Sequence, residues 1–260
     1  MRKFRNVLIM LGALSTMGTG QALADLKIGI AAEPYPPFTS KDTAGKWVGW
    51  EIDFINALCV QLNETCEITE TAWDGIIPAL SVKKIDVILA SMSITAKRQE
   101  IINFSNPYYS ATPLMIGVKD GDVDISPAHL AGKIIGVQAA SIHANYASKY
   151  FASTSTIKEY PTQDEANQDL VAGRVDYVLA NGLALESFLK SEGGVCCEGK
   201  GAVPPDVSIL GEGVGLGMRK EDVELQTRIN AGISALAAAG TFTKITDQYG
   251  LTGQLIVPTK

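Results

Sequence analysis

The sequence predicts an α/β fold, and two observations carry this prediction. Short apolar runs rich in β-branched residues alternate with segments of helical periodicity, in the order strand, helix, helix, strand, helix between residues 26 and 100. In addition, the stretch 80–91 (LSVKKIDVILAS) resembles the stretch 170–181 (LVAGRVDYVLAN) in the same phase throughout. Each stretch reads as a helix end, a basic residue, a buried strand and a polar residue, which predicts two similar units. Chance similarity between ordinary αβ units is the alternative.

The N-terminal segment 1–24 has the pattern of a secretory signal peptide. Basic residues at positions 2, 3 and 5 precede an apolar run, and an A-x-A cleavage site ends at Ala24. A membrane anchor is disfavoured because the apolar run is short and interrupted. We therefore expect a mature chain that begins near Asp25 in an exported compartment.

The charge balance narrows the class of partner. The chain has 22 basic and 28 acidic side chains, and loss of the leader removes three basic residues and no acidic ones. A surplus of acid argues against nucleic acid or an anionic membrane surface as partner. His129 and His143 are the only histidines, so a metal site is disfavoured and no cofactor is expected.

The four cysteines form two local pairs in the sequence. Cys59 lies late in the helix-like segment 50–62 and Cys66 lies just past it, so an oxidising compartment favours a local bridge over two buried thiols. Cys196 and Cys197 are neighbours, and a bridge between them would be strained because a trans peptide holds their Cα atoms about 3.8 Å apart. Reduced thiols and a labile bridge both stay open for this second pair.

Polar residues follow the predicted strand 85–89. Ser91 and Ser93 stand at its end, Thr95 is a plausible helix N-cap, and Arg98 falls in the first turn. Hydroxyl groups, free backbone N–H groups and a guanidinium could therefore converge on a small anion such as a carboxylate. The alternative is that Arg98 pairs with a neighbouring Glu on a surface helix.

Two other stretches suit the wall of a pocket. The loop 31–38 (AAEPYPPF) is stiff and carries one acid and two aromatic rings, although it can also be read as a rigid connection. The predicted strand 134–138 is followed by small residues and then by a helical stretch, 142–150. The first N–H groups of that helix are a second candidate anion site.

Six motifs together resemble the periplasmic polar amino-acid-binding proteins of bacterial ABC transporters, above all the lysine/arginine/ornithine, histidine and octopine/nopaline group. The motifs are EPYPPF (33–38), AWDGIIPAL (72–80), SITAKR (93–98), GVQ (136–138), AGRVD (172–176) and GVGLGMRKED (213–222). The resemblance implies a two-lobed periplasmic binding protein fold with two crossover strands and a central ligand cleft. Lobe 1 would take 25–115 and 218–260, lobe 2 would take 116–217, and the crossovers would lie near 115–118 and 216–219.

The resemblance also implies roles for particular residues. Arg98 would pair with the α-carboxylate of the ligand, assisted by Ser93 and by the backbone at Ser141 and Ile142. Two aromatic residues would sandwich the ligand side chain, Ser91 would bind the α-amino group, an acid would lie near a distal basic group, and Asn181 would face the ligand from lobe 2. The full expected set is Glu33, Tyr35, Trp73, Ala90, Ser91, Ser93, Arg98, Gln138, Ser141, Ile142, His143 and Asn181, and Cys59 with Cys66 would match the group's local disulfide.

This sequence departs from the group at three positions. Ile142 stands where the group often has a hydroxyl residue, and Glu33 lies in a loop one residue shorter than in some relatives. Asn181 stands where amino-acid binders usually have Asp, and it keeps an acceptor but loses the charge. That loss would suit an opine, which carries a second carboxylate on its alkylated nitrogen. The alternative is that Asn181 only tunes affinity for an ordinary amino acid.

The function that the resemblance implies is transport and not catalysis. The chain would close two lobes on a basic or guanidino amino acid, or on an opine such as octopine or nopaline. As a periplasmic monomer it would deliver this ligand to the membrane subunits of an ABC importer. The alternative is an enzyme similar to cyclohexadienyl dehydratases, which share the fold and would need a general acid or base such as Glu33.

Overall fold

The computed structural model describes residues 25–258, so the predicted signal peptide lies outside the described residues. Within this range the strands are β1 (Leu26–Ala31), β2 (Ser40–Lys41), β3 (Trp47–Val48), β4 (Cys66–Thr71), β5 (Val87–Ile88), β6 (Asn103–Phe104), β7 (Pro113–Val118), β8 (Ile134–Gln138), β9 (Thr156–Tyr160), β10 (Tyr177–Asn181), β11 (Cys197–Ala202) and β12 (Gly217–Met218).

The α-helices of the same range are α1 (Trp50–Leu62), α2 (Ile76–Ser81), α3 (Ala96–Gln99), α4 (Ile142–Tyr150), α5 (Gln163–Val171), α6 (Gly182–Leu189), α7 (Val207–Leu210), α8 (Val223–Ala238) and α9 (Thr241–Gln248). Short 3₁₀ helices lie at Trp73–Gly75 and Glu192–Gly194. Across residues 25–258, no helix combines the length and the apolar character that crossing a bilayer requires.

Two five-stranded sheets organise these elements. The strand order is β4-β1-β5-β12-β6 in the first sheet and β11-β7-β10-β8-β9 in the second. β1 runs parallel to β4 and β5, and β8 runs parallel to β9 and β10, whereas β12 and β7 run antiparallel to their neighbours. Helices join most of these strands, so the predicted α/β class is confirmed.

The two similar sequence stretches occupy equivalent places in the two sheets. The first stretch supplies β5 and the second supplies β10, and each is the middle strand of its sheet. Polar residues therefore stand at the carboxyl end of both middle strands, Ser91 beyond β5 and Asn181 at the end of β10. In open α/β sheets this is the end at which ligands bind.

The chain passes between the sheets through two paired segments. Tyr109 bridges Val214 in antiparallel fashion, and the backbone N–H of Val214 donates to the carbonyl of Tyr109 at 2.8 Å. The ranges expected for the crossovers, 115–118 and 216–219, overlap β7 and β12, and four of their apolar side chains are buried, namely Met115, Ile116, Leu216 and Met218. The boundary expected at residue 115 falls inside β7, and all the lobe limits stay predictions.

A backbone contact sets the start of α1. Gly49 precedes the helix with φ 128°, and a Cβ at this position would lie 2.2 Å from the carbonyl oxygen of Phe38. Only glycine lets the loop 31–38 approach the helix start so closely. The helix ends at Asn63 in the left-handed conformation, φ 55°.

Both cysteine pairs are disulfides. Cys59 of α1 is bonded to Cys66 at the start of β4, with 6.2 Å between their Cα atoms. Cys196 and Cys197 are also bonded to each other. The local bridge is therefore present as the sequence favoured, and the vicinal pair, which the sequence left open, is closed as well.

An aromatic cluster joins the C-terminal helix α9 to α1. The rings of Trp50, Phe54, Tyr108 and Phe242 stack, with 4.6 Å between the centroids of Phe54 and Tyr108. The indole N–H of Trp50 donates to the hydroxyl of Thr246 at 3.1 Å. Burial of such large rings is a major source of stability, so α9 is fixed against α1 although the bonded residues Trp50 and Thr246 are 196 positions apart in the sequence.

Candidate ligand-binding site

A cavity of about 320 Å³ lies between the two sheets, at the carboxyl ends of β1, β5, β8 and β10. Every residue that the sequence singled out for ligand contact lies in its wall, namely Glu33, Tyr35, Trp73, Ala90, Ser91, Ser93, Arg98, Gln138, Ser141, Ile142, His143 and Asn181. The fold therefore brings the predicted set together in space, and their contact with a ligand stays a prediction.

Arg98 is held in the wall by its own helix and by the opposite sheet. The hydroxyl of Thr95 caps α3 by accepting the backbone N–H of Arg98 at 3.3 Å, as the sequence predicted. The guanidinium donates to the carbonyl of Ser93 at 2.9 Å and to that of Ala140 at 3.4 Å, and it lies 5.4 Å from the ring of Trp73. Within residues 25–258 no carboxylate forms an ion pair with it. Burial lowers the pKa of Arg98 to about 10, so a desolvated cation faces the cavity without a counter-ion.

The N-terminus of α4 supplies further donors. The hydroxyl of Ser141 accepts the backbone N–H of Ala144 at 3.0 Å and donates to the carbonyl of Gln138 at 2.6 Å, so it is fully used as a cap. The first N–H groups of a helix have no partner within that helix. The backbone N–H groups of Ser141 and Ile142 are therefore the donors that this segment offers to an anion. Because they belong to the backbone, the lack of a side-chain hydroxyl at Ile142 does not remove them.

His143 is neutral in this setting. Burial, with the charge of Arg98 second, lowers the pKa of the imidazole to about 3. The ring therefore adds no positive charge to the wall at neutral pH. In the part of the chain that the structure describes, no group of three or more His, Cys, Asp or Glu side chains could hold a metal ion.

Three hydrogen bonds link the two sides of the cavity. The side-chain amide of Gln138 donates to Glu33 at 3.0 Å. The indole of Trp73 donates to the carbonyl of Ala139 at 3.1 Å, and Arg98 reaches the carbonyl of Ala140. These bonds hold the loop 31–38 and the turn at Trp73 against the end of β8, so the two sides of the cavity are in direct contact.

Asn181 presents a donor to the cavity. Its side-chain oxygen caps α6 by accepting the backbone N–H groups of Leu183 at 2.9 Å and Ala184 at 3.4 Å. Two N–H donors on one atom fix the orientation of the amide, and the remaining NH₂ group can only donate. The acceptor that the sequence analysis assigned to the ligand is thus occupied by the helix, so Asn181 suits a carboxylate or carbonyl better than an ammonium group.

The wall also contains residues that the sequence reasoning missed, among them Thr39, Glu51 and Glu212. Glu51 is completely buried in the first turn of α1. One signal could have revealed it, because Glu51, Ile55 and Leu58 follow the spacing i, i+4, i+7 and a carboxylate therefore stands on the apolar face of the helix. The charged groups of the wall are three Glu residues and one Arg, in addition to the neutral His143.

Comparison with known proteins agrees with this geometry. The model of "Bacterial extracellular solute-binding proteins, family 3" matches residues 26–252. The L-arginine-binding protein of Pseudomonas aeruginosa is 41% identical over 249 residues, which cover 93% of this chain and 95% of that protein. The octopine-binding periplasmic protein of Rhizobium meliloti is 33% identical over 86% of this chain and 84% of that protein. Among solved structures, an ancestral arginine-binding protein bound to arginine superimposes with a TM-score of 0.80 at 33% identity, covering 86% of this chain and 97% of that one.

Proposed function

The chain belongs to family 3 of the bacterial extracellular solute-binding proteins, and we propose that it captures a basic or guanidino amino acid, or an opine built on one, for import through an ABC permease. The ligand lies in the cavity between the two sheets. Its α-carboxylate pairs with Arg98, and its cationic part lies among the acids of the wall. Closure of the two lobes around this ligand creates the state that the permease recognises.

The charge pattern of the wall carries this proposal. Arg98 is a desolvated guanidinium with no carboxylate partner among residues 25–258, and such a group binds a carboxylate by two parallel hydrogen bonds. Glu33, Glu51 and Glu212 bring carboxyl groups to the same cavity wall. A molecule with a carboxylate at one end and a guanidinium or ammonium at the other satisfies both parts of the wall, whereas a simple dicarboxylate does not.

The arginine- and octopine-binding relatives support both ligand classes. Arginine carries a primary α-ammonium, whereas in octopine this nitrogen is a secondary amine bearing an alkyl group that ends in a second carboxylate. The NH₂ group of Asn181 favours the second carboxylate over the ammonium. We therefore expect the opine to bind at least as tightly as arginine.

A thermal-shift screen tests the function. Purified protein, freed of bound ligand by unfolding and refolding, is heated with arginine, lysine, ornithine, histidine, glutamine, octopine and nopaline. A ligand present at 100 times its dissociation constant adds about 2.7 kcal/mol to the free energy of unfolding. We expect the largest shifts from the guanidino compounds, and a screen in which none of these compounds raises the melting temperature would refute the proposal.

The alternative function is that of a cyclohexadienyl-dehydratase-like enzyme on the same fold. Burial raises the pKa of Glu33 above its usual value. One oxygen of Glu33 accepts a hydrogen bond from the side-chain amide of Gln138, so this carboxyl group bonds across the cavity. We propose that Glu33 acts in binding and not in proton transfer. Incubation with prephenate and arogenate decides the matter, because release of phenylpyruvate or phenylalanine at a rate above the uncatalysed one would contradict a binding role.

The cellular setting follows from the same proposal. The mature chain works in the periplasm after cleavage of the segment 1–24, as a monomer that meets the membrane subunits of an ABC importer. Mass determination of the exported protein tests the cleavage site near Ala24, and light scattering tests the monomer.

A further inference from the structure

Ser91 has an unusual backbone conformation at the edge of the cavity. It lies just beyond β5 with φ 49°, in the left-handed region that residues with a Cβ adopt only at a cost. The residue is half-buried in the cavity wall, whereas its hydroxyl oxygen is shielded from solvent. Ser91 therefore presents its backbone and Cβ to the cavity, and a strained backbone of this kind persists only where neighbouring groups hold it.

Glu51 holds the backbone of Ser91. Its side chain starts from the first turn of α1 and is completely shielded from solvent. The carboxyl oxygen Oε1 accepts the backbone N–H of Ser91 at 2.8 Å and the hydroxyl of Tyr108. The hydroxyl of Ser91 lies within hydrogen-bonding reach of the same carboxyl group and of Tyr109. These polar groups serve one another inside the protein, so Glu51 can act on the cavity only through the residues it bonds.

The turn that Glu51 holds leads directly to the anchor of Arg98. Ser93 is buried in the cavity wall, and its carbonyl accepts Nη1 of the Arg98 guanidinium at 2.9 Å. Beyond it, the backbone N–H of Ile94 donates to the carbonyl of Gly213 at 2.8 Å. The segment between Ser91 and Ile94 is thus held at both ends. Release of the Ser91 end would shift the carbonyl of Ser93 and, with it, the guanidinium that the carboxylate of a ligand meets.

The same carboxyl oxygen also joins the cavity to the crossover between the sheets. The backbone N–H of Tyr108 donates to the carbonyl of Val214 at 2.9 Å, next to the bridge between Tyr109 and Val214. Because Oε1 of Glu51 receives both the hydroxyl of Tyr108 and the N–H of Ser91, it fixes the cavity turn relative to this crossover. A buried network of this kind orders its members more strongly than separate bonds would.

Resting on the function proposed above, we infer that Glu51 is a positioning residue, which sets the affinity of the cavity by holding the backbone of Ser91 and does not touch the ligand. Its bond to Ser91 keeps the turn in the left-handed conformation, and the turn keeps the Ser93 carbonyl where it orients Arg98. This role requires an acceptor oxygen at position 51 and no negative charge. The affinity for a ligand should therefore follow the presence of that oxygen.

The chemistry of the carboxyl group provides substitutions that separate the oxygen from the charge. Burial raises the pKa of Glu51 to about 7, so the neutral acid, whose carbonyl oxygen still accepts an N–H, is populated near neutral pH. Glu51→Gln copies this neutral form, because its amide oxygen accepts from Ser91 and Tyr108. Glu51→Met places a methyl group where the acceptor oxygen was. Tyr108→Phe is the matched control, because it removes the other donor to the same oxygen and leaves the N–H of Ser91 bonded.

Calorimetric titration of native protein and these variants with L-arginine and octopine tests the inference, with the tighter-binding compound as the probe. We expect Glu51→Met to weaken the probe by at least about tenfold, because the N–H of Ser91 loses its acceptor. Glu51→Gln and Tyr108→Phe should each stay within about threefold of native protein, although Tyr108→Phe loses a buried hydrogen bond and should melt at a lower temperature. Glu51→Asp keeps the charge and withdraws the oxygen by one CH₂ group. It should weaken the probe as Glu51→Met does, and it decides the matter if Glu51→Met fails to fold.

Three results would overturn the inference. The first is a loss of affinity below about threefold in Glu51→Met and Glu51→Asp. The second is a loss in Glu51→Gln equal to that in Glu51→Met, which would assign the effect to the charge. The third is an equal loss in Tyr108→Phe, which would assign it to general loosening of the core. Native protein that binds neither compound refutes the proposed function instead.

The backbone amide of Ser91 reports the bond itself in native protein. An N–H that donates to a titrating carboxyl group changes its proton chemical shift as that group ionises. The other groups that face Glu51 are Tyr35, Tyr108 and Tyr109, whose raised pKa values keep them neutral. In NMR spectra of isotope-labelled protein without ligand, the Ser91 amide should therefore shift between about pH 4 and about pH 9, and in Glu51→Gln it should not. An amide that does not shift in native protein, or that shifts equally in Glu51→Gln, contradicts the inference.

Discussion

Replacement of Asn181 by Asp should change the affinities for an opine and for an ordinary amino acid in opposite directions. In the native chain the side-chain oxygen caps α6 and the NH₂ group is left for the ligand. An aspartate keeps the cap, because one carboxylate oxygen accepts the same two N–H groups, while its second oxygen replaces the NH₂ group. The substitution therefore changes the charge and the hydrogen-bonding sense at one point of the wall and leaves the fold in place.

The size of the effect follows from the charges. Two unit charges about 4 Å apart interact by about 4 kcal/mol at an effective dielectric constant of about 20, which is an upper bound near a helix N-terminus that stabilises the new carboxylate. We therefore expect Asn181→Asp to weaken octopine and nopaline by at least tenfold, about 1.4 kcal/mol. Arginine should bind unchanged or more tightly, because its primary ammonium gains an acceptor.

Calorimetric titration of native protein and variant with octopine, nopaline and arginine, at one pH and ionic strength, measures these changes. The control is Asn181→Ala, which removes the cap and should lower the free energy of unfolding by about 1 kcal/mol, whereas Asn181→Asp should not. Octopine that binds the variant as well as the native protein would refute the placement of its second carboxylate at Asn181. Native protein that prefers arginine to every opine tested would refute the opine preference itself.

Three further substitutions test two side chains of the cavity wall and one helix cap. Arg98→Ala should lower affinity for any ligand by at least about 3 kcal/mol, because a desolvated carboxylate loses its bidentate partner; a calorimetric loss under about 1 kcal/mol would remove Arg98 from the site. Glu33→Gln should weaken cationic ligands more than neutral ones such as glutamine, and equal weakening would show that Glu33 only shapes the closed cleft. Thr162→Ala removes the capping box that Thr162 forms with Glu165 at the start of α5, and should lower the free energy of unfolding by about 1 kcal/mol in urea titration without changing affinity. A midpoint equal to that of native protein would contradict the assigned cap.

The sequence predicted which residues lie in the cavity wall where a polar residue directly follows a buried strand. Ser91 and Asn181 were located because an apolar run fixes the strand and the strand's direction fixes where its end lies. Thr95 and Arg98 were located because capping is a local property of the chain. Such inferences need no knowledge of how distant segments meet.

The prediction failed where distant segments decide the outcome. The carboxylate of Glu51 is buried against Tyr108, which lies 57 residues away, and nothing near it in the sequence shows that contact. The role of the Asn181 oxygen depends on which rotamer the start of α6 selects. The ranges 115–118 and 216–219, expected to be crossovers, overlap β7 and β12, because an apolar run has the same pattern in a sheet interior as in a connecting strand.

We propose that one cavity binds an amino acid or opine, with the ligand carboxylate paired with Arg98 and the ligand's positive charge among the acidic side chains of the wall. The most direct measurement is a titration of refolded native protein with L-arginine and octopine, each in parallel with its carboxamide derivative that lacks the α-carboxylate. We expect one-to-one binding of at least one parent compound with a dissociation constant of about 1 µM or lower, and at least about hundredfold weaker binding of its amide. A parent and amide of equal affinity, or no binding of either parent at about 1 mM, would contradict the proposal.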